Sequence, residues 1–270
     1  MNYCLTLISP DEFKGLPSAQ VDAALRKFDA VSVKCLNGTS KYEIGKLKAF
    51  QKRLDKLGVP MFGWGWANAR TVDEAVLEAR CAAQICNALG LEVWFVNCEK
   101  TWAGVEGAAP TKDPYGALDA YVSTFYEECR TCHLVYNGFS WDRNSKKYGS
   151  QKLHDDTLIR RFYGWSPMLY GTNQALVQRN WNTRLFRYPG MRLFAMPGCG
   201  RIDKEGNVWG TWQSDPRTGV YGTKDLLLNT RPDWVCWFFG NGAKDQLLTG
   251  HKKHPPLTTC IDELNREVPR

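Results

Sequence analysis

The sequence reads as a (β/α)8 barrel. Short apolar runs alternate with amphipathic helical segments along its 270 residues, the pattern of a parallel sheet wrapped by helices. About eight such runs are present, the number that closes a barrel of this type. No Pro/Ser-rich linker and no internal repeat divides the chain, so residues 1–270 read as one barrel domain. A doubly wound open sheet is the runner-up. That fold normally carries a glycine-rich phosphate loop after its first strand, and here the first strand leads into Ser9-Pro10-Asp11-Glu12-Phe13.

Residues 3–8 (Tyr-Cys-Leu-Thr-Leu-Ile) form the first predicted strand. Pro17 and Ser18 open a helix to about Phe28, with Val21, Ala24, Leu25 and Phe28 on one face. Residues 30–36 are the second strand, which brings Lys34 near its end. Asn37-Gly38-Thr39 make a turn, and residues 41–57 are helical, with Ile44, Leu47, Phe50, Leu54 and Leu57 at helical spacing. Gly58 stops that helix. Residues 59–65 are the third strand, and its glycines, Gly63 and Gly65, are expected to make room in the barrel interior. Thr71 and Glu74 have the spacing of a capping box for a helix that stops at Gly90. Residues 91–97 are the fourth strand, residues 114–130 a helix and residues 133–137 the fifth strand.

The second half is less regular. A helix is predicted at 155–162, a strand at 166–170, a helix at 173–183 and a strand at 191–196. Residues 200–212 read as an inserted hairpin turning at Lys204-Glu205-Gly206-Asn207. Residues 234–239 are the eighth strand. Residues 243–270 are polar and read as an irregular tail packed outside the barrel.

Composition excludes several classes. With 43% hydrophobic and 23% charged residues, the chain is neither disordered nor fibrous. No apolar run reaches the roughly 18 residues of a membrane span, and the first residues lack the pattern of a secretory signal. This predicts no membrane partner. The net charge of +7 fits an anionic partner or a solvated surface. The basic residues do not cluster with the tryptophans, which disfavours nucleic acid. The ten cysteines read as free, mostly buried thiols. Cys129-Arg130-Thr131-Cys132 is the one CxxC, and a zinc site needs a second ligand pair. No metal or cofactor is expected. Phosphate-loop, nucleophile-elbow and HExxH motifs are missing.

In such a barrel the active site lies where strands end. Asn97 and Glu99 are two apart at the end of the fourth strand, so they share a face and Cys98 takes the other. A carboxyl group hemmed by tryptophans is desolvated, its pKa rises, and it can serve as a general acid near neutral pH. Equally, Glu99 can pair with Lys34 or Lys100 and close the barrel end. Trp64, Trp66, Trp102 and Trp141 fall in the same region, with Tyr136 and Tyr170 at further strand ends. Flat aromatic rings stack on sugars and also serve as core. Lys34, Trp64, Trp66, Trp102, Tyr136, Trp141 and Tyr170 are therefore the candidate substrate-binding set. Asp142, with Asp215 as a further candidate, is the possible second carboxylate, which a glycosidase needs about 5 to 9 Å from the first.

The stretch from Val31 to Trp102 resembles the glycoside-hydrolase-like TIM-barrel proteins of bacteriophages and actinobacteria. The residues that carry the likeness are Val33-Lys34 and the run Val59-Pro60-Met61-Phe62-Gly63-Trp64-Gly65-Trp66. The Glu/Ala-rich helix from Thr71 to Leu89 and Val96-Asn97-Cys98-Glu99-Lys100 complete it. The pattern is also similar to lysozyme-like barrels, in which an Asp-x-Glu pair ends a strand; here Asn97 stands in place of the aspartate. The resemblance implies action on, or binding of, a peptidoglycan or surface polysaccharide. It implies Glu99 as the acid and Asn97 as a residue that positions the acid or an N-acetyl group. It places the protein in a host cytoplasm or a virion, with other virion proteins as partners. The alternative is a non-catalytic virion, tail or glycan-binding protein.

Overall fold

The computed structural model describes residues 1–98, 112–139, 160–169, 190–197, 201–202, 208–209, 212–213, 222–238, 247–248, 250 and 255–268. Eight parallel strands close into a barrel: β1 (Asn2–Leu7), β2 (Ala30–Asn37), β4 (Met61–Trp66), β5 (Val93–Asn97), β6 (His133–Phe139), β7 (Gly164–Leu169), β8 (Arg192–Pro197) and β11 (Trp234–Phe238). Closure is made by β1, which pairs with β2 on one side and with β11 on the other. The short β3 (Ser40–Lys41) folds back antiparallel on the end of β2. The expected hairpin insertion is present as β9 (Arg201–Ile202) paired with β10 (Val208–Trp209).

Six helices lie among the described residues: α1 (Ser18–Leu25), α2 (Ile44–Leu57), α3 (Val72–Leu89), α4 (Pro114–Glu128), α5 (Thr223–Thr230) and α6 (Leu257–Glu267). Gly58 and Gly90 end α2 and α3 in the left-handed conformation, at φ 70° and 60°, as glycine after a helix favours. The Thr71 side chain accepts a hydrogen bond from the Glu74 N–H at 3.2 Å. The Glu74 carboxylate reaches back to the N–H of Arg70 rather than to that of Thr71.

Residues 257–267 correct the expectation of an irregular tail. Leu257, Cys260, Ile261 and Leu264 make one apolar stripe and are buried. On the two flanks of that stripe, Asn265 accepts from the Tyr3 hydroxyl at 3.1 Å and Glu263 accepts from the Trp212 indole at 2.7 Å. The segment is polar overall yet strongly amphipathic, so its average hydropathy hides the helix.

Two apolar layers result. Strand residues of one parity pack outward against the helices: Trp94, Val96, Leu134 and Tyr136 meet Ala75, Ala79, Ala82 and Ala83 of α3 and Leu118 and Phe125 of α4 in one core. Residues of the other parity fill the interior: Cys4, Phe62, Trp64, Phe95, Val135, Met168, Phe194, Met196 and Cys236. At the amino end of the strands, Phe194 stacks on Trp234 at 5.9 Å between ring centres, and Phe62 meets the same indole edge-on at 5.3 Å. This aromatic plug fills the lower barrel, as side-chain layers do in barrels of this size.

The glycines of β4 face the other way from the expectation. A Cβ on Gly63 would come within 2.7 Å of both Leu91 and Trp94, and one on Gly65 within 2.9 Å of Trp94 and Leu36. Both therefore make room for the Trp94 indole in the outer layer, while Trp64 and Trp66 take the interior. β2 also runs past Lys34 to Asn37, with a bulge between Lys34 and Leu36 in its pairing with β4. The extra residue re-aims the strand end into the β2–β3 turn.

Candidate active site at the carboxyl end of the barrel

Polar residues sit among the interior ones, from the middle of the strands to their carboxyl ends. Thr6 comes from β1, Ser32 and Lys34 from β2, Asn97 from β5, Asn137 from β6 and Ser166 from β7, and all are buried. A small cavity lies among Thr6, Trp64, Phe95, Asn97, Asn137, Met196 and Phe238. It has room for about one water-sized group, some 10 Å3.

Its walls are held firmly. The Asn137 amide donates to the Ser166 carbonyl at 2.9 Å and to the Ser166 hydroxyl at 3.0 Å, with the Met196 sulfur at 3.6 Å. The Trp64 indole donates to the Leu7 carbonyl at 2.8 Å. Trp66 packs edge-on against Trp64 at 6.2 Å between ring centres, and Phe238 of β11 does the same at 6.0 Å. The Lys34 ammonium sits 3.4 Å from the centre of the Trp66 ring and 5.3 Å from that of Trp64. Both indoles offer the ammonium their electron-rich faces, a cation–π arrangement that suits a desolvated lysine.

Of the sequence candidates, Lys34, Trp64, Trp66 and Asn97 are brought together at this mouth. Asn97 lines the cavity and Cys98 belongs to the outer core, the alternation expected for the strand end. Tyr136 is not brought there: it has the outward parity of β6 and packs against Phe162 at 5.5 Å between ring centres. Its neighbour Asn137 takes the interior place. Glu99, Trp102, Trp141, Asp142, Tyr170 and Asp215 lie outside the described residues.

Two carboxylates that the sequence reading passed over tie down the loops at the rim. Glu12 accepts from the N–H of Ile8 at 2.6 Å and of Ser9 at 3.1 Å, just after β1. Ser9-x-x-Glu12 is a capping-box pattern, so this role was visible in the sequence. Glu78, on the inner face of α3, accepts from the Asn68 N–H with both carboxylate oxygens at 3.1 Å. The Asn68 side chain in turn donates to Asn37 at 3.0 Å. Burial pushes both carboxyl groups up from 4.5 to about 7, against the opposing pull of those N–H donors.

On the flank of the barrel, Cys86 of α3 meets the CxxC cysteines that follow α4. The Cys86 thiol donates to Cys129, and the N–H groups of Cys132 and Thr131 also point to that sulfur; together they bring the Cys129 thiol down to about 6. Burial holds Cys86 itself well above the usual thiol range. Among the described residues no group of His, Cys, Asp and Glu side chains is arranged to hold a metal ion.

By sequence, no protein-family model and no curated protein matches the chain. By fold, the chain is similar to glycoside hydrolases. A GH18 chitinase from Pseudoalteromonas aurantia superposes with a TM-score of 0.63 at 10% identity, over 98% of this chain and 100% of that one. A family 18 N-acetylglucosaminidase from Paenibacillus barengoltzii gives 0.61 at 9% identity, over 99% and 100%. The modular autolysin LytC from Streptococcus pneumoniae matches 60% of this chain at 14% identity with a TM-score of 0.44. The chain spans 37% of that protein's length. At such identities the likeness is one of fold: a TIM-type barrel of the architecture used by these hydrolases. Fold alone does not carry an activity. No helix among the described residues is long and apolar enough to cross a membrane.

Proposed function

We propose that this chain is a single glycoside-hydrolase-like barrel that binds and cleaves a cell-wall or surface polysaccharide, with Glu99 as the general acid. The observation that carries the reading is the end of β5. Asn97 faces the cavity and Cys98 the outer layer, and Glu99 is the first carboxylate in the sequence after this strand. Trp64 and Trp66 give this mouth the apolar surface that raises the pKa of a carboxyl group, and the Lys34 ammonium between them opposes that rise. Asn97 positions that group or a substrate amide. Asp142 is the second carboxylate, as base or nucleophile, and Trp102, Trp141 and Tyr170 extend the sugar-stacking surface. The names of the fold neighbours, chitinase and N-acetylglucosaminidase, favour a glycan as ligand. The likeness of Val31–Trp102 to phage proteins adds a virion or host-cytoplasm setting and other virion proteins as partners.

A second reading is favoured by one specific observation: among the described residues no carboxylate lines the cavity, whereas aromatic and amide groups do. This is the lining of a glycan-binding or tail protein without catalysis. Reducing-end release from purified peptidoglycan and from surface polysaccharide separates the two, comparing wild type with Glu99→Gln. Release that the substitution abolishes supports the hydrolase. No release from folded wild type sinks it and leaves the binding module.

A further inference from the structure

Two hydroxyl groups inside the barrel have no hydrogen-bond partner among the described residues. They are Thr6 Oγ1 and Ser32 Oγ, on residues 2% and 0% exposed. Thr6 and Ser32 are Cα partners in the β1–β2 ladder, so the two hydroxyls lie side by side on neighbouring strands. Thr6 lines the cavity together with Asn97, Asn137 and Trp64. Elsewhere among the described residues Thr230 donates to the Leu226 carbonyl at 2.7 Å, while Thr223 Oγ1 at the start of α5 is also unpaired. Buried hydroxyls without partners are destabilising, and valine or alanine fits a barrel interior better. Thr6 lines the cavity and Ser32 lies beside it in the ladder, one layer deeper, and this unpaired pair at the cavity wall points to a ligand.

The chemistry of the walls says which. Besides Thr6, the cavity is lined by Trp64, Phe95, Asn97, Asn137, Met196 and Phe238, none of them charged. Hydroxyls donate and accept at once, which matches another hydroxyl rather than a phosphate or carboxylate. The space takes about one water-sized group, enough for a single hydroxyl on a short arm. The surrounding indole and phenyl rings suit the sugar ring that carries the arm. We infer that Thr6 at the cavity wall, backed by Ser32 beside it in the ladder, receives the hydroxymethyl group of a hexopyranose, which makes the protein selective for hexose over pentose polymers. This rests on the polysaccharide reading above and narrows it. A xylose unit has no such arm and leaves both hydroxyls unpaired, and a site built to bond a substrate hydroxyl discriminates strongly against an analogue that lacks it.

The test is calorimetric titration of the full chain with cellotetraose, chitotetraose and xylotetraose. The two hexose tetramers are expected to bind at least about tenfold more tightly than xylotetraose, the value of one lost hydrogen bond. Thr6→Val and Ser32→Ala should each bring hexose affinity down toward that of xylotetraose and leave the latter unchanged. Both variants should melt no lower than wild type, because they remove an unpaired hydroxyl. Equal wild-type affinity for cellotetraose and xylotetraose overturns the inference and leaves the polysaccharide reading standing, as does an unchanged ratio in the variants. A melting temperature well below wild type in either variant assigns the hydroxyls to structure and also overturns it. Failure of the wild type to bind any of the three overturns the polysaccharide reading itself.

Discussion

Replacing Glu78 by glutamine should make the stability of this barrel less sensitive to pH, with a sign set by burial. Glu78 is 4% exposed, and burial raises its carboxyl from 4.5 to about 7. In the folded chain the group therefore holds its proton through a window in which the unfolded chain has released it. Its contribution to stability is complete below about pH 4.5, and it is lost as pH rises through 7. The displacement from 4.5 to about 7, at 1.36 kcal/mol per pH unit, sets a ceiling of roughly 3 kcal/mol. Most of it, roughly 2 to 3 kcal/mol, falls between pH 5 and 9. Glutamine keeps one acceptor oxygen for the Asn68 N–H and turns a donor toward the second site. That carries a separate cost of about 1 to 2 kcal/mol at every pH.

The assay is urea denaturation of wild type and Glu78→Gln at pH 5, 7 and 9. Glu12 titrates in the same direction, so only the difference between the two proteins isolates Glu78. Wild type should lose its advantage over the variant by roughly 2 to 3 kcal/mol across that range. A difference that does not change with pH would refute the reasoning. A difference that grows as pH rises would mean that the backbone N–H donors, Asn68 and with it Ala69, outweigh burial and hold the carboxyl group down.

Gly63→Ala places a methyl group within 2.7 Å of Leu91 and of the fully buried Trp94 ring, so thermal or urea unfolding should show a loss of about 1 to 3 kcal/mol; unchanged stability would mean that the outer layer has slack. Cys129 should show thiolate absorbance at 240 nm with a midpoint near 6. Cys86→Ala removes the thiol that donates to it and should move that midpoint upward; a static midpoint would remove Cys86 from the account. Glu99→Gln should abolish release of reducing ends without changing the fold, which circular dichroism checks.

The order of elements was legible because it depends on local rules. Apolar runs and helical spacing placed the barrel strands, and Gly58 and Gly90 marked helix ends through a conformation that glycine adopts readily. Parity along a strand was equally legible: Asn97 and Cys98 part to opposite faces, as the two-residue period requires. What the sequence could not decide was which parity is the inside. A strand of a (β/α)8 barrel is buried on both faces, so it shows no polar side to orient it. Gly63 and Gly65 therefore pointed at Trp94 rather than into the barrel, and Asn137 took the interior place instead of Tyr136. The Thr6–Ser32 pair is more distant still from any local signal. The two residues come side by side only because β1 and β2 pair in one register, and Thr6 faces a cavity only because Asn97, Asn137 and Phe238 come round from other strands to enclose it. Sequence alone determined the strands, the helices and the alternation; closure of the sheet decided which residues share the mouth, because that depends on register and on contacts between residues far apart in the chain.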